Sequence, residues 1–208
     1  IRARNNRDAA ELYERVQNVA RGAALMTDCR VEIVFDKAYS NLLQNRTLNQ
    51  VMYAQMQALG QLKVDAAQHK LAGDFQATLD AADVEQVSRP LASVLRGKVP
   101  AIFEGIAAYD PAVEETLFGS TDVADVSWIT PTVQAWVACY AFGTPLHSWQ
   151  MVSQGQSGLA HAGMVHAAQI LAATAIVLLE QPELIEQAKA ELLERRGGQP
   201  YVCPIPAD

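Results

Sequence analysis

Val133-Gln134-Ala135-Trp136-Val137-Ala138-Cys139-Tyr140 is a short, nearly unbroken apolar run, and Gly143-Thr144-Pro145-Leu146-His147-Ser148-Trp149 follows two residues later. A Gly/Ser-rich turn over 153–158 then leads into an apolar helical pattern over about 163–179. An interior strand, a Gly/Pro loop with a histidine at its tip, then a helix is how open α/β sheets present functional groups at strand ends. This stretch decides the fold reading, which is α/β with a mixed sheet flanked by helices.

Upstream, Leu12, Val16, Val19, Ala20 and Ala23 recur at helical spacing, so residues 7–26 predict a helix, with Asp8 and Glu11 near its start. Residues 30–36 (Arg-Val-Glu-Ile-Val-Phe-Asp) alternate polar and apolar, the pattern of a half-buried strand. With residues 1–5 as a second strand, the opening reads as a strand–helix–strand module. Thr47-Leu48-Asn49-Gln50 has the form of a capping box, opening a helix that ends at Gly60. Residues 61–118 are interrupted by Pro90, Gly97 and Pro100; they predict helical pieces near 74–82, 84–96 and 111–117 and read as a possible insertion. Downstream, Pro182 breaks the apolar helix, and a charged helix over 183–196 is stopped by Gly197-Gly198, leaving residues 200–208 as a tail.

Of 208 residues, 50% are hydrophobic and 19% charged, the balance of an ordinary globular protein. The net charge of −7 argues against a nucleic-acid surface, which needs clustered Lys and Arg. Cys29, Cys139 and Cys203 are odd in number and lack metal-finger spacing, so they read as reduced thiols in a cytoplasmic protein. The apolar core of the long helix, 170–179, reads as too short to span a bilayer, so no membrane partner is expected. The chain opens on Ile1-Arg2-Ala3-Arg4 without an initiator Met, like a strand cut from something longer.

Four histidines are present. His69 lies in a polar stretch beside Lys70, and His166 falls within the apolar helix; both read as structural. His161 and His166 are five apart and miss the i, i+4 spacing of paired helix ligands. His147 and His161 lie in Gly/Ser-containing segments beside one helix, where an imidazole can reach a cleft and bind metal or make a structural hydrogen bond. Glu114-Glu115 could supply a base and a ligand, but in Pro111-Ala-Val-Glu-Glu they suit the first turn of a helix. Asp122 and Asp125, after Gly119-Ser120, are either near a metal or cap turns. Ser120 lacks a nucleophile-elbow context.

Gly119-Ser-Thr-Asp-Val-Ala-Asp-Val-Ser127, Gly143-Thr-Pro-Leu-His-Ser-Trp-Gln150 and Gly158-Leu-Ala-His-Ala-Gly-Met164 together resemble the C-terminal half of the zinc aminoacylase and glutamate-carboxypeptidase family of metallopeptidases, nearest to members acting on p-aminobenzoyl-glutamate in folate catabolism. The likeness runs along the whole chain and is weakest over 61–110. It implies a catalytic domain holding two zinc ions (manganese is the alternative) and a ferredoxin-like lid for dimerisation and substrate binding. Residues 1–40 would be the second half of that lid and 41–208 the C-terminal part of the catalytic domain. The resemblance implies that the last metal ligand is His147, with His161 as the alternative. It also aligns Arg2 with a lid arginine that grips the substrate carboxylate, and puts Asp122 in a loop beside the metals. The remaining ligands and the general base would precede the lid, so this chain holds no catalytic residue and is inactive alone.

The implied function is metal-dependent hydrolysis of an amide in a small acylamino acid such as p-aminobenzoyl-glutamate, by a homodimer or a heterodimer with a related subunit. Two rivals stand beside it: a non-catalytic dimerisation or binding module, and a hydrolase of new type built on Glu114-Glu115 with His147 and His161.

Overall fold

The computed structural model describes residues 1–113 and 119–206, apart from the side chains of Pro90 and Ser93. Regular structure among them is helical: α1 Asn6–Thr27, α2 Arg46–Leu59, α3 Ala66–Gln76, α4 Ala81–Ser88, a 3-10 turn Arg89–Leu91, α5 Ala92–Leu95, α6 Val123–Ser127, α7 Trp149–Gln154, α8 Gly158–Glu180 and α9 Pro182–Arg195.

No strand forms among the described residues, so the mixed α/β sheet and the ferredoxin-like strands of the lid are corrected to a helical fold. Alternation gives a segment two faces, but only neighbouring strands give it a ladder. Residues 30–36 keep the alternation without a neighbour: Val31, Ile33 and Val34 stay exposed, and only Phe35 finds a partner, the Tyr13 ring of α1 at 5.7 Å. In 133–140 the apolar run is likewise irregular. Phe142 N donates to Ala101 O at 2.8 Å just beyond it, a single cross-chain bond that no ladder extends.

The chain divides into two compact units. The first takes Ile1–Asn45 with residues 119–132 and 186–206. Its α1 starts at Asn5, whose side chain accepts from Asp8 N at 2.9 Å, and ends at Asp28 in the left-handed region (φ 52°). No α1 residue is fully buried. The end of α9 is closed by Gly197 and Gly198, both at positive φ, whose N–H groups donate to Glu194 O and Leu193 O. This is the stop expected at Gly197-Gly198.

The second unit, Arg46–Val113 with Val133–Ile185, has a core of Leu62, Ala72, Ile102, Ala141 and Leu159. Residues 61–113 therefore supply part of that core. The Asp65 side chain accepts from Gln68 N while Gln68 Oε1 accepts from Asp65 N, a reciprocal cap that starts α3 at Ala66, earlier than the expected piece at 74–82. Helix α8 packs on α2 and begins at Gly158, where Ser157 caps Ala160 N at 3.0 Å. It runs 23 residues and is long and apolar enough by composition alone to cross a bilayer, which corrects the shorter reading. Met164, Val165, Leu171, Ile176 and Leu179 on it stay more than half exposed, so it is not sandwiched within this chain. At Gly163 the backbone of α8 meets residues 138–139 so closely that a Cβ would lie 2.7 Å from Cys139 Sγ and nearer still to Ala138 O.

Candidate functional site

In the first unit, irregular backbone over 37–44 walls a cavity of about 790 Å³. Such backbone needs other partners for its polar groups, and side chains supply them. Asn6, at the start of α1, donates to Ser40 Oγ at 3.0 Å and accepts from Asn41 N at 3.2 Å. Ser40 is buried, and its Oγ donates to Asp125 Oδ1 at 2.5 Å while its N–H reaches both carboxylate oxygens at 3.3 Å. Tyr201 OH donates to the same Oδ1 at 3.0 Å. Farther along, Leu43 N donates to Ser127 Oγ at 2.9 Å and Trp128 Nε1 to Asn41 O at 2.7 Å. Asp125 is thus the knot of this wall. Burial, then the hydrogen bond to Asp125, pushes the Tyr201 phenol well above the ordinary tyrosine range, so it stays a donor at neutral pH.

Among the described residues the cavity lining carries four cationic side chains, Arg2, Arg4, Lys37 and Arg195, and no Asp or Glu. Ser120 and Thr121 line it as well. Of the residues singled out from sequence, Arg2 therefore sits in this cavity. Asp122 does not line it: its exposed side chain caps α6, accepting from Val123 N at 3.1 Å.

The histidines belong to the second unit. His147 is exposed and takes a left-handed conformation (φ 61°), uncommon for a residue with a side chain and a frequent mark of functional loops. Its loop is held from below by Gln154, which is 1% exposed. Gln154 Oε1 accepts from Ala141 N at 2.7 Å, and Nε2 donates to Thr144 Oγ1 at 3.2 Å and to Gln150 O at 3.0 Å. Thr144 Oγ1 donates to Ala141 O at 2.7 Å, and Ser148 Oγ to Pro145 O at 2.7 Å. These hydrogen bonds tie the loop down, and the exposed imidazole of His147 belongs to it.

His161 is exposed on the first turns of α8, and His166 is half-buried on the same helix. His69 lies 3.3 Å from Glu104 in a solvated pair, which contributes little. Among the described residues no three His, Cys, Asp or Glu side chains converge on a point that could hold a metal. Glu114 and Glu115 lie outside the described residues.

Sequence reading missed Ser40, Asn6, Tyr201 and Gln154. Nothing in their local pattern marks them, because their partners are 34, 85 and 76 residues away for the first unit and the Gln154 contacts depend on how the loop turns.

No protein-family model matches the chain, and no solved structure matches it. Among curated proteins it is 39% identical over 215 residues to a subunit of p-aminobenzoyl-glutamate hydrolase from Escherichia coli (strain K12), a match covering 99% of this chain and 44% of that protein. The chain thus spans less than half the length of its relative. Over nearly all of its own length it is a relative of that p-aminobenzoyl-glutamate hydrolase component, in agreement with the resemblance its motifs carry.

Proposed function

We propose that the chain serves the hydrolysis of an amide in an acylated glutamate, p-aminobenzoyl-glutamate being the model substrate. The observation that carries this is the 39% identity along 99% of the chain to a protein named for that reaction. A cavity whose described lining carries four cationic side chains supports it, because the substrate's glutamate half is a dianion. In this reading Arg2 holds a substrate carboxylate through charge-assisted hydrogen bonds. Partners follow from the relative's name, which makes it one component of an assembly; the partner proposed here is a second copy or a related chain.

Zinc in such hydrolases activates water and polarises the scissile carbonyl. The described residues do not fit a zinc site by themselves, since a catalytic site needs about three protein ligands and none converge here. What the chain offers is His147, presented on a loop tied by hydrogen bonds, and we propose it as one donor to a site whose other ligands are not among the described residues; His161 is the alternative donor and Asp122 a group near that site.

The test is hydrolysis of p-aminobenzoyl-glutamate by the protein purified from its source, with metal content measured on the same sample. Hydrolysis with bound zinc or manganese, both reduced by His147→Ala and neither by His161→Ala, is the expected result. A protein that neither binds metal nor cleaves the substrate would overturn the proposal and leave the non-catalytic binding module.

A further inference from the structure

Helix α8 is apolar on every side, yet only one side of it is packed. At about 100° per residue, its buried residues Leu159, Gly163, Ile170 and Thr174 fall within roughly 60° of one another. Met164, Val165, Leu171, Ile176 and Leu179, each more than half exposed, spread over about 140° on the opposite side. Ala168, Ala172 and Ala175 run down the middle of that spread and are exposed as well. No Asp, Glu, Lys or Arg interrupts the helix before Glu180. A helix without a polar side belongs inside a protein or a bilayer, so this face is one that something covers.

A bilayer is the wrong cover. Residues 99–188 contain no Lys or Arg to meet lipid phosphates, and the exposed Glu180 and Glu183 stand at the end of the face. The packed side meets α2 and the irregular backbone at Ala138, surroundings that lipid cannot provide. A second copy meets a different obstacle. The face follows about 24 Å of a helix some 10 Å across and offers a few hundred Å², short of the roughly 800 Å² per partner that a stable pair of separate chains buries. A tethered segment needs less area, because its effective concentration is set by the tether. Length for such a segment exists in the relative, which matches 99% of this chain with only 44% of its own residues.

We infer that the exposed face of α8 is the seat of an apolar segment of the same polypeptide, drawn from the stretch that corresponds to the unmatched part of the relative. The three alanines form a shallow channel between larger side chains, which lets a neighbouring backbone approach closely. The inference uses the relative's length and not its activity, so failure of the hydrolase reading leaves it untouched.

The test uses the protein expressed at full length from its own gene, with leucine and methionine replaced by their photo-reactive diazirine analogues. After irradiation, mass spectrometry should find Met164, Leu171 and Leu179 joined to peptides from outside the 208 residues, in a product that migrates as one polypeptide. In the same full-length protein Ala175→Glu should lower Tm by roughly 5 °C or more, since it buries an unpaired charge, whereas Glu183→Gln should leave Tm unchanged. Crosslinks from these residues to their own copies at twice the mass, to phospholipid, or to residues 1–45 or 114–132 would each overturn the inference. So would a gene that encodes these 208 residues alone, or an Ala175→Glu protein as stable as the original.

Discussion

Replacing Gln154 by methionine tests whether the His147 loop is held as the structure describes. The change keeps length and volume but removes an acceptor and two donated hydrogen bonds. The decisive loss is the acceptor, because Ala141 is 0% exposed and its N–H is left without a partner, which costs about 1–3 kcal/mol. The donated bonds matter less: Thr144 Oγ1 keeps its bond to Ala141 O, and Gln150 O lies at a helix where other donors are near. Burying a thioether in place of an amide returns part of the loss, so a net destabilisation of about 2 kcal/mol is expected. For a chain of this size that lowers Tm by roughly 4–8 °C. Urea denaturation followed by circular dichroism measures the change, and hydrogen exchange at Ala141 should accelerate in the native state. Gln150→Met is the control, since its side chain reaches only Thr78 O at 3.5 Å and should lose roughly 0.5 kcal/mol or less. If Gln154→Met costs no more than that control, the loop is not pinned by this amide and the tying down of the His147 loop has no support.

Two further outcomes follow from close packing and burial. Gly163→Ala and Gly22→Ala both add a methyl within a helix, and both gain roughly 1 kcal/mol of helix propensity. At Gly22 nothing lies within 4 Å of the new Cβ, so the gain should appear as higher stability. At Gly163 the Cβ meets Ala138 O and Cys139 Sγ, so overpacking of about 1–3 kcal/mol should outweigh it and lower stability; the same sign at both sites in thermal melts would refute the packing described. Cys29 and Cys203 are exposed whereas burial pushes the Cys139 thiol up, so at pH 8 a smaller fraction of Cys139 is thiolate. A thiol reagent should therefore label two cysteines quickly and Cys139 slowly, with the slow phase vanishing in denaturant, and uniform labelling of all three would contradict its burial.

Helices were legible because their signals are local. The spacing of Leu12, Val16, Val19 and Ala23 identified α1, the turn at Gly60 ended α2, and Gly197-Gly198 ended α9. The strands were not, because a strand is defined by a neighbour. The alternation in 30–36 and the apolar run in 133–140 state only what a side chain prefers, and in this chain neither finds a ladder. In the site the same division holds. Arg2, singled out from its motif, lines the cavity, while nothing in the sequence signalled that the Asp125 carboxylate accepts from Ser40 and Tyr201. That role needs two partners brought from opposite ends of the chain, so no window of sequence contains it.

The two halves of the proposed chemistry differ in how complete they are within this chain. The described lining of the cavity comes from the first unit: Arg2, Arg4 and Lys37 come from residues 1–45, and the wall over 37–44 is tied by Asn6, Asp125 and Tyr201 of the same unit. The histidine of the second unit has a loop tied by hydrogen bonds but no converging partners among the described residues. Binding needs only the first arrangement, whereas hydrolysis needs ligands added to the second. An acylated glutamate should therefore bind equally well before and after His147→Ala. If removing His147 abolished binding, the imidazole would belong to the recognition of the acid, and recognition would not be separate from metal chemistry.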